Sequence, residues 1–217
     1  MTEAEWLSNN DVIKLLAHLN RPPDDRKLRL YAIACCRDVW DHLTEPASRD
    51  GIEWAERFAD GLDSRDAEYT RLEKASMEVF AKYYREWSAT PPDEVGWRGL
   101  NDLTEAVHLA WAVMNFERAK PYQSDLRRHE QLITSRHVYE VFVNPFRPVT
   151  FLAEWRTSTV LALAQQMYDS RDFSAMPLLA EALQNSGCED EAVLTHCRGL
   201  GPHVRGCWVV DLILGKE

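Results

Sequence analysis

Nowhere does the chain carry a run of five or more basic residues, and its formal net charge is −10. Binding to nucleic acid or to an anionic membrane relies on Lys and Arg neutralising phosphate charge, so neither partner is expected. Long apolar runs are also missing. The longest strongly apolar stretch, Trp208 to Leu214, is interrupted by Asp211 and falls far short of the roughly 20 residues that span a bilayer. Met1 to Asn10 is acidic and polar, without the basic region and apolar core of a secretory signal. Cysteine is scarce and odd in number, five in all, with Cys35 and Cys36 adjacent. That suits a reducing compartment better than a disulfide framework, and a cytoplasmic protein is expected. The chain also lacks a phosphate-cradling glycine loop, a dinucleotide fingerprint, a Gly-x-Ser-x-Gly elbow and a His-Glu-x-x-His helix. The acidic cluster Glu189-Asp190-Glu191 sits at an expected helix start, where negative charge favours the helix dipole.

What is present is helical periodicity. Apolar residues recur at spacings of three and four rather than two, and no strand candidate competes. Thr2 and Asp11 can cap two short helices. A third, from about Asp25 to Leu43, carries Leu28, Ala32, Cys35, Val39 and Leu43 on one stripe, widened by Tyr31, Ile33, Cys36 and Trp40, which places it centrally in the core. Thr44-Glu45-Pro46 reads as a capping hydroxyl with proline in the first turn of the next helix. Further helices are expected from Ser64 to Trp87, from Asn101, from Ser124 to Val143, from Ser158 to Tyr168, from Ser174, over Asp190 to Arg198, and from Pro202 to Leu214. The expected fold is all-α, a compact multi-helix domain of about eight to ten helices with no sheet. It covers 1–217, divisible into sub-lobes 1–120 and 145–217 joined by a helix over 124–143.

The tail from Gly187 holds Cys188, Cys197 and Cys207 together with His196 and His203. Thiolate and imidazole are zinc ligands, and a structural site needs four in tetrahedral array. His196, Cys197, His203 and Cys207 are therefore a metal candidate. Against it, there is no Cys-x-x-Cys knuckle, adjacent His196 and Cys197 point about 100° apart on a helix, and buried free cysteines are ordinarily small core residues. Cys207 with His203 and Asp211 also has the composition of a nucleophilic triad. A thiol inside a helix apolar nearly all round stays protonated and inert, however. Asp211 lies inside Trp208-Val209-Val210-Asp211-Leu212-Ile213-Leu214, where a lone carboxylate is costly. It calls for a partner, with Arg147, Arg198, Arg205 and Arg29 as candidates. Asn144-Pro145-Phe146-Arg147-Pro148 is too proline-rich to be helical throughout, and it either presents Phe146 to a partner or turns the chain. Of eight tryptophans most belong in the core, but Trp97, with Trp87, flanks a proline-rich loop and is a candidate partner surface.

Taken together, TEAEWL, DRKLRLYAIACCRDVW, NPFRPVT and HCRGLGPHVRGCWVVDLILGK resemble an uncharacterised paralogous family of planctomycete bacteria of the Gemmata type. The resemblance covers Thr2 to about Leu62 and Asn144 to Lys216 and leaves out about Asp63 to Tyr122. It implies a bacterial origin and a cytosolic helical protein, and it assigns no activity and no site residues.

Three functional expectations follow. The first is a non-enzymatic interaction or scaffold module with no cofactor, binding another protein through Trp97 or Phe146. The second is a zinc-binding protein using His196, Cys197, His203 and Cys207. The third is a small-ligand receptor or enzyme with Asp211 and Arg147 or Arg205 in a cleft.

Overall fold

Side-chain caps fix several of the helix starts. In a computed structural model, which describes residues 1–19, 25–91, 104, 106–110, 112 and 134–216, every regular element is a helix. None is long and apolar enough to cross a membrane among these residues. The chain divides into two compact units, one of residues 10–17 and 21–134, the other of residues 1–9, 18–20 and 135–217.

The first of these units holds α2 (Val12–Leu16), α3 (Asp25–Asp38), α4 (Pro46–Ala59) and α5 (Ala67–Ala89), with α3 packed on α4 and α4 on α5. Leu28, Leu30, Tyr31, Ala32, Ile33, Ala34, Cys35 and Cys36 are all buried, so α3 is central, as its wide apolar face predicts. It is shorter than its periodicity suggests. The α-helix stops at Asp38, and Trp40–His42 form a 3-10 turn. There the Arg37 guanidinium lies 3.9 Å from the Trp40 ring and grips buried Glu56 with two hydrogen bonds of 3.0 and 3.2 Å. Two other starts also differ from expectation. Glu45, not Thr44, is the N-cap of α4, and it makes no side-chain cap bond. The helix expected from Ser64 begins at Ala67, because the Asp66 carboxylate accepts from Glu68 N and Tyr69 N. Trp97 and most of the helix expected from Asn101 lie outside the described residues.

The other unit joins α1 (Glu3–Ser8) to the C-terminal helices α6 (Ser135–Val141), α7 (Ser158–Ser170), α8 (Met176–Asn185), α9 (Glu191–Arg198) and α10 (Trp208–Leu214). Thr2 and Glu5 form a reciprocal capping box at α1. The Tyr139 hydroxyl on α6 lies 2.6 Å from the Trp6 carbonyl and 2.7 Å from that of Asn9, so the end of α1 is tied to α6. Of the helix expected over 124–143, residues 134–143 are described, and Ser135–Val141 are helical, so it ends two residues before Val143. Val160, Ala164, Met167 and Tyr168 recur at helical spacing on α7 and are buried against Leu179, Ala180 and Leu183 of α8, Val193 and Cys197 of α9, and Val209, Val210 and Ile213 of α10.

The last helix is fastened at its end. Arg156 donates to the carbonyls of Leu212 at 2.7 Å and Ile213 at 3.1 Å, and Gly215 closes the helix in the left-handed region at φ 66. Arg156→Ala strips two otherwise orphaned carbonyls of a charged donor. We expect a loss of about 1–2 kcal/mol, read as a lower urea midpoint; an unchanged midpoint would show that water replaces the side chain at no cost.

Candidate functional site

Four potential ligand groups, Glu140, His196, His203 and Cys207, converge in this C-terminal unit. Glu140 comes from α6, where it is 5% exposed despite its charge. His196 lies in the last turn of α9, which Asp190 fixes by accepting from Ala192 N and Val193 N. His203 lies on the segment between α9 and α10, and Cys207 is the N-cap residue of α10. This corrects the expected start at Pro202. Gly201 and Gly206 adopt φ of +80° and +93°, conformations a right-handed helix cannot contain, and α10 begins only at Trp208. Gly201-Pro202 is cis. His203 and Cys207 therefore do not share a helical face, and they meet through the looped segment instead.

One ligand atom from each residue lies within 4.8 Å of all the others. His203 Nδ1 is 2.9 Å from Glu140 Oε1, while His196 Nε2 is 3.4 Å from Glu140 Oε1 and 3.1 Å from Cys207 Sγ. The remaining ring nitrogens are also engaged. His203 Nε2 faces the Gly199 carbonyl at 3.2 Å, and Trp208 Nε1 donates to His196 Nδ1 at 3.0 Å.

These partners fix where the protons sit. Both nitrogens of His203 face acceptors, so both carry hydrogen and the ring is a cation. The indole N–H can only donate, so His196 Nδ1 must accept and the proton of a neutral ring lies on Nε2, directed at Glu140 and Cys207. Burial works to raise the Glu140 pKa, but hydrogen bonds from His196 and His203 outweigh it and hold the carboxyl down at about 2 from the usual 4.5. For His203, burial opposes the charge and the Glu140 carboxylate overcomes it, lifting the pKa above 6.5. Burial, reinforced by the Glu140 charge, pushes the Cys207 thiol far up. Without metal, the cluster thus holds one carboxylate, one imidazolium, a neutral imidazole and a thiol, with no net charge.

Such an arrangement is a poor nucleophilic centre. The Cys207 thiol is protonated, and His203 is an acid whose ring nitrogens are taken by Glu140 and Gly199 rather than held ready as a base. The electrostatics predict a pH dependence. Lowered Glu140 contributes stability present above pH 4.5 and lost as pH falls through about 2. Raised His203 contributes stability complete below pH 6.5 and lost as pH rises through its folded value. The two shifts are one interaction seen from both sides. In the presence of chelator, the difference in thermal midpoint between the native chain and Glu140→Gln should be largest between about pH 4.5 and 6.5 and shrink on either side; a pH-independent difference would contradict the ion pair.

Among the residues singled out from sequence, His196, His203 and Cys207 come together. Cys197 is left out of the group and lies fully buried among α7 to α10, its thiol pushed up to about 12 by burial and the Glu140 charge. Asp211 is fully buried and partnered, as its apolar surroundings require. Arg205 places its guanidinium 4.5 Å from the Tyr168 ring, while Arg147 reaches Glu3 at 3.3 Å with its side chain 69% exposed. Phe146 is 39% exposed and stacks on His18 with ring centroids 6.3 Å apart. Glu140 was missed from sequence, although the signal that marks Asp211, an acid inside an apolar stretch, also marks Val138-Tyr139-Glu140-Val141-Phe142-Val143. Comparison with protein-family models, curated proteins and solved structures gives no match, so the chemistry of the cluster has to be read from its own geometry.

Proposed function

We propose that the protein binds a single zinc ion through Glu140 Oε1, His196 Nε2, His203 Nδ1 and Cys207 Sγ, as a closed, non-catalytic site that clamps α6, α9 and α10 together. The observation that carries this reading is the convergence of four ligand atoms within 4.8 Å from residues 140, 196, 203 and 207. Zinc takes thiolate, imidazole and carboxylate in fours, and bonds of about 2.0–2.3 Å at tetrahedral angles set neighbouring ligand atoms about 3.3–3.8 Å apart. Separations of 2.9, 3.1 and 3.4 Å lie close to that range, and even the widest pair needs to close by no more than about 1 Å.

Two further features support zinc. His203 already donates its other nitrogen to a backbone carbonyl, the usual outer partner of a metal-bound imidazole. Charge also balances. Replacing the Cys207 thiol proton and the extra His203 proton by one divalent cation leaves the buried cluster at zero net charge, so exchange of metal for protons avoids uncompensated buried charge. A site with four protein ligands leaves no open position for substrate, which favours a structural or regulatory ion over a catalytic one.

The test is metal analysis of tag-free protein together with zinc titration against a competing chelator. One equivalent per chain is expected, with a rise in thermal midpoint equivalent to about 2.7 kcal/mol at zinc concentrations 100-fold above Kd. Cys207→Ser should abolish the rise. A stoichiometry near zero after incubation with zinc would end the reading.

A further inference from the structure

The bond from Trp208 to His196 bears on how that site fills. We infer that Trp208 is a latch that opposes metal entry, because its indole holds His196 in the tautomer whose Nε2, the nitrogen facing the cluster, cannot ligate. This deepens the zinc reading and rests on it. A metal bound at His196 Nε2 needs the lone pair there, and a neutral ring must then carry its hydrogen on Nδ1. In the described arrangement Nδ1 lies 3.0 Å from the Trp208 indole N–H, which can only donate, so by valence the hydrogen of a neutral ring falls on Nε2. On metal binding, an Nδ1–H would face an indole N–H, two donors with no acceptor between them. The indole must therefore turn away before His196 can join the site, or the site must fill at the expense of that bond.

The placement favours a coupled device. Trp208 follows the ligand Cys207 directly and is the first residue of α10, so one backbone step sets both the thiol and the indole. The indole is 8% exposed, and its ring lies 4.9 Å from that of His196. Proton balance is simple. His196 keeps one hydrogen, lost from Nε2 and gained from solvent at Nδ1, while the metal displaces those on Cys207 Sγ and His203 Nδ1. An ordinary outer-shell partner accepts from the far nitrogen of a ligating histidine, and its removal weakens metal binding. Trp208 is the reverse, a donor, so its removal should strengthen binding.

The experiment titrates zinc alone, against a competing chelator, into tag-free native protein and into Trp208→Phe, which keeps an aromatic ring but removes the N–H. Nitrogen chemical shifts of the histidines are recorded for the native protein with and without zinc. The latch predicts that Trp208→Phe binds zinc about 10-fold more tightly. It also predicts that His196 carries Nε2–H without metal and Nδ1–H with it. Equal or weaker binding by a folded Trp208→Phe, with the native protein still binding one zinc, overturns the latch and leaves the zinc site standing. The shifts decide the matter should the variant not fold: an Nδ1–H on His196 before zinc is added overturns the latch as well. Failure of both proteins to bind zinc overturns the site itself.

Discussion

Replacing Glu140 by leucine is expected to lower stability by about 3–5 kcal/mol in the presence of chelator, and to remove zinc binding as well. The carboxylate is the acceptor at the centre of the cluster, with His203 at 2.9 Å and His196 at 3.4 Å. Leucine fills much of the same space, so the loss reports electrostatics and hydrogen bonding more than a cavity. The His203 cation is left buried without its anion, and the ring must either stay charged at high cost or give up its proton and one bond. Glu140→Gln separates the contributions. It preserves shape and one acceptor, cancels the charge, and should cost about 1–2 kcal/mol. Equilibrium unfolding in urea, with and without zinc, measures all of this. If Glu140→Leu lies within about 0.5 kcal/mol of the native protein under chelation, the buried pair contributes nothing measurable to stability.

This centre was only partly legible in the sequence, and the reasons are physical. Local patterns reported local structure well. The apolar width of Leu28 to Cys36 marks a helix central to the core, the acidic Glu189-Asp190-Glu191 marks a real helix start, and the stretch from Trp208 to Leu214 is a buried helix whose one acid is buried with it. Helix starts were less secure, because several polar residues compete to cap. Ser64 looked suitable, yet Asp66 makes the bonds and Ser64 only supports it, with a 3.2 Å hydrogen bond to the Asp66 carboxylate. The tail shows a different limit. His203 and Cys207 drew attention through a four-residue spacing that assumed helix, and they do come together, but through a looped segment in which two glycines take left-handed φ. The pair is therefore brought together by a geometry other than the one its spacing suggests. Glu140 stands 63 residues from His203, and no spacing rule reaches that far. Only the oddity of an acid among valines and aromatics pointed to it, and that marks the need for a partner without naming one.

Gly201 carries a second large effect, because it shapes the segment that delivers His203. A Cβ built there would lie 2.6 Å from the backbone nitrogen of His203 and 3.4 Å from its ring Cδ2, at a φ of +80°. The nearest atom is main chain, so no rotamer change can relieve the contact. Gly201→Ala must therefore open the turn, and the displaced ring loses its grip on Glu140 and on the Gly199 carbonyl. Gly187 supplies the control. It has a similar φ of +86° with nothing within 4 Å of the added carbon. Gly187→Ala meets only the backbone penalty, about 1–2 kcal/mol, and should leave zinc affinity unchanged. Gly201→Ala meets that penalty plus the collision, for a total of about 3 kcal/mol or more, and should weaken zinc binding at least 10-fold through misplacement of His203. Urea midpoints and chelator-competition titrations on the two variants decide between local strain and loss of the site. Equal stabilities and equal zinc affinities would mean that the 199–203 turn relaxes freely, and that His203 is held by its partners rather than by the backbone beneath it.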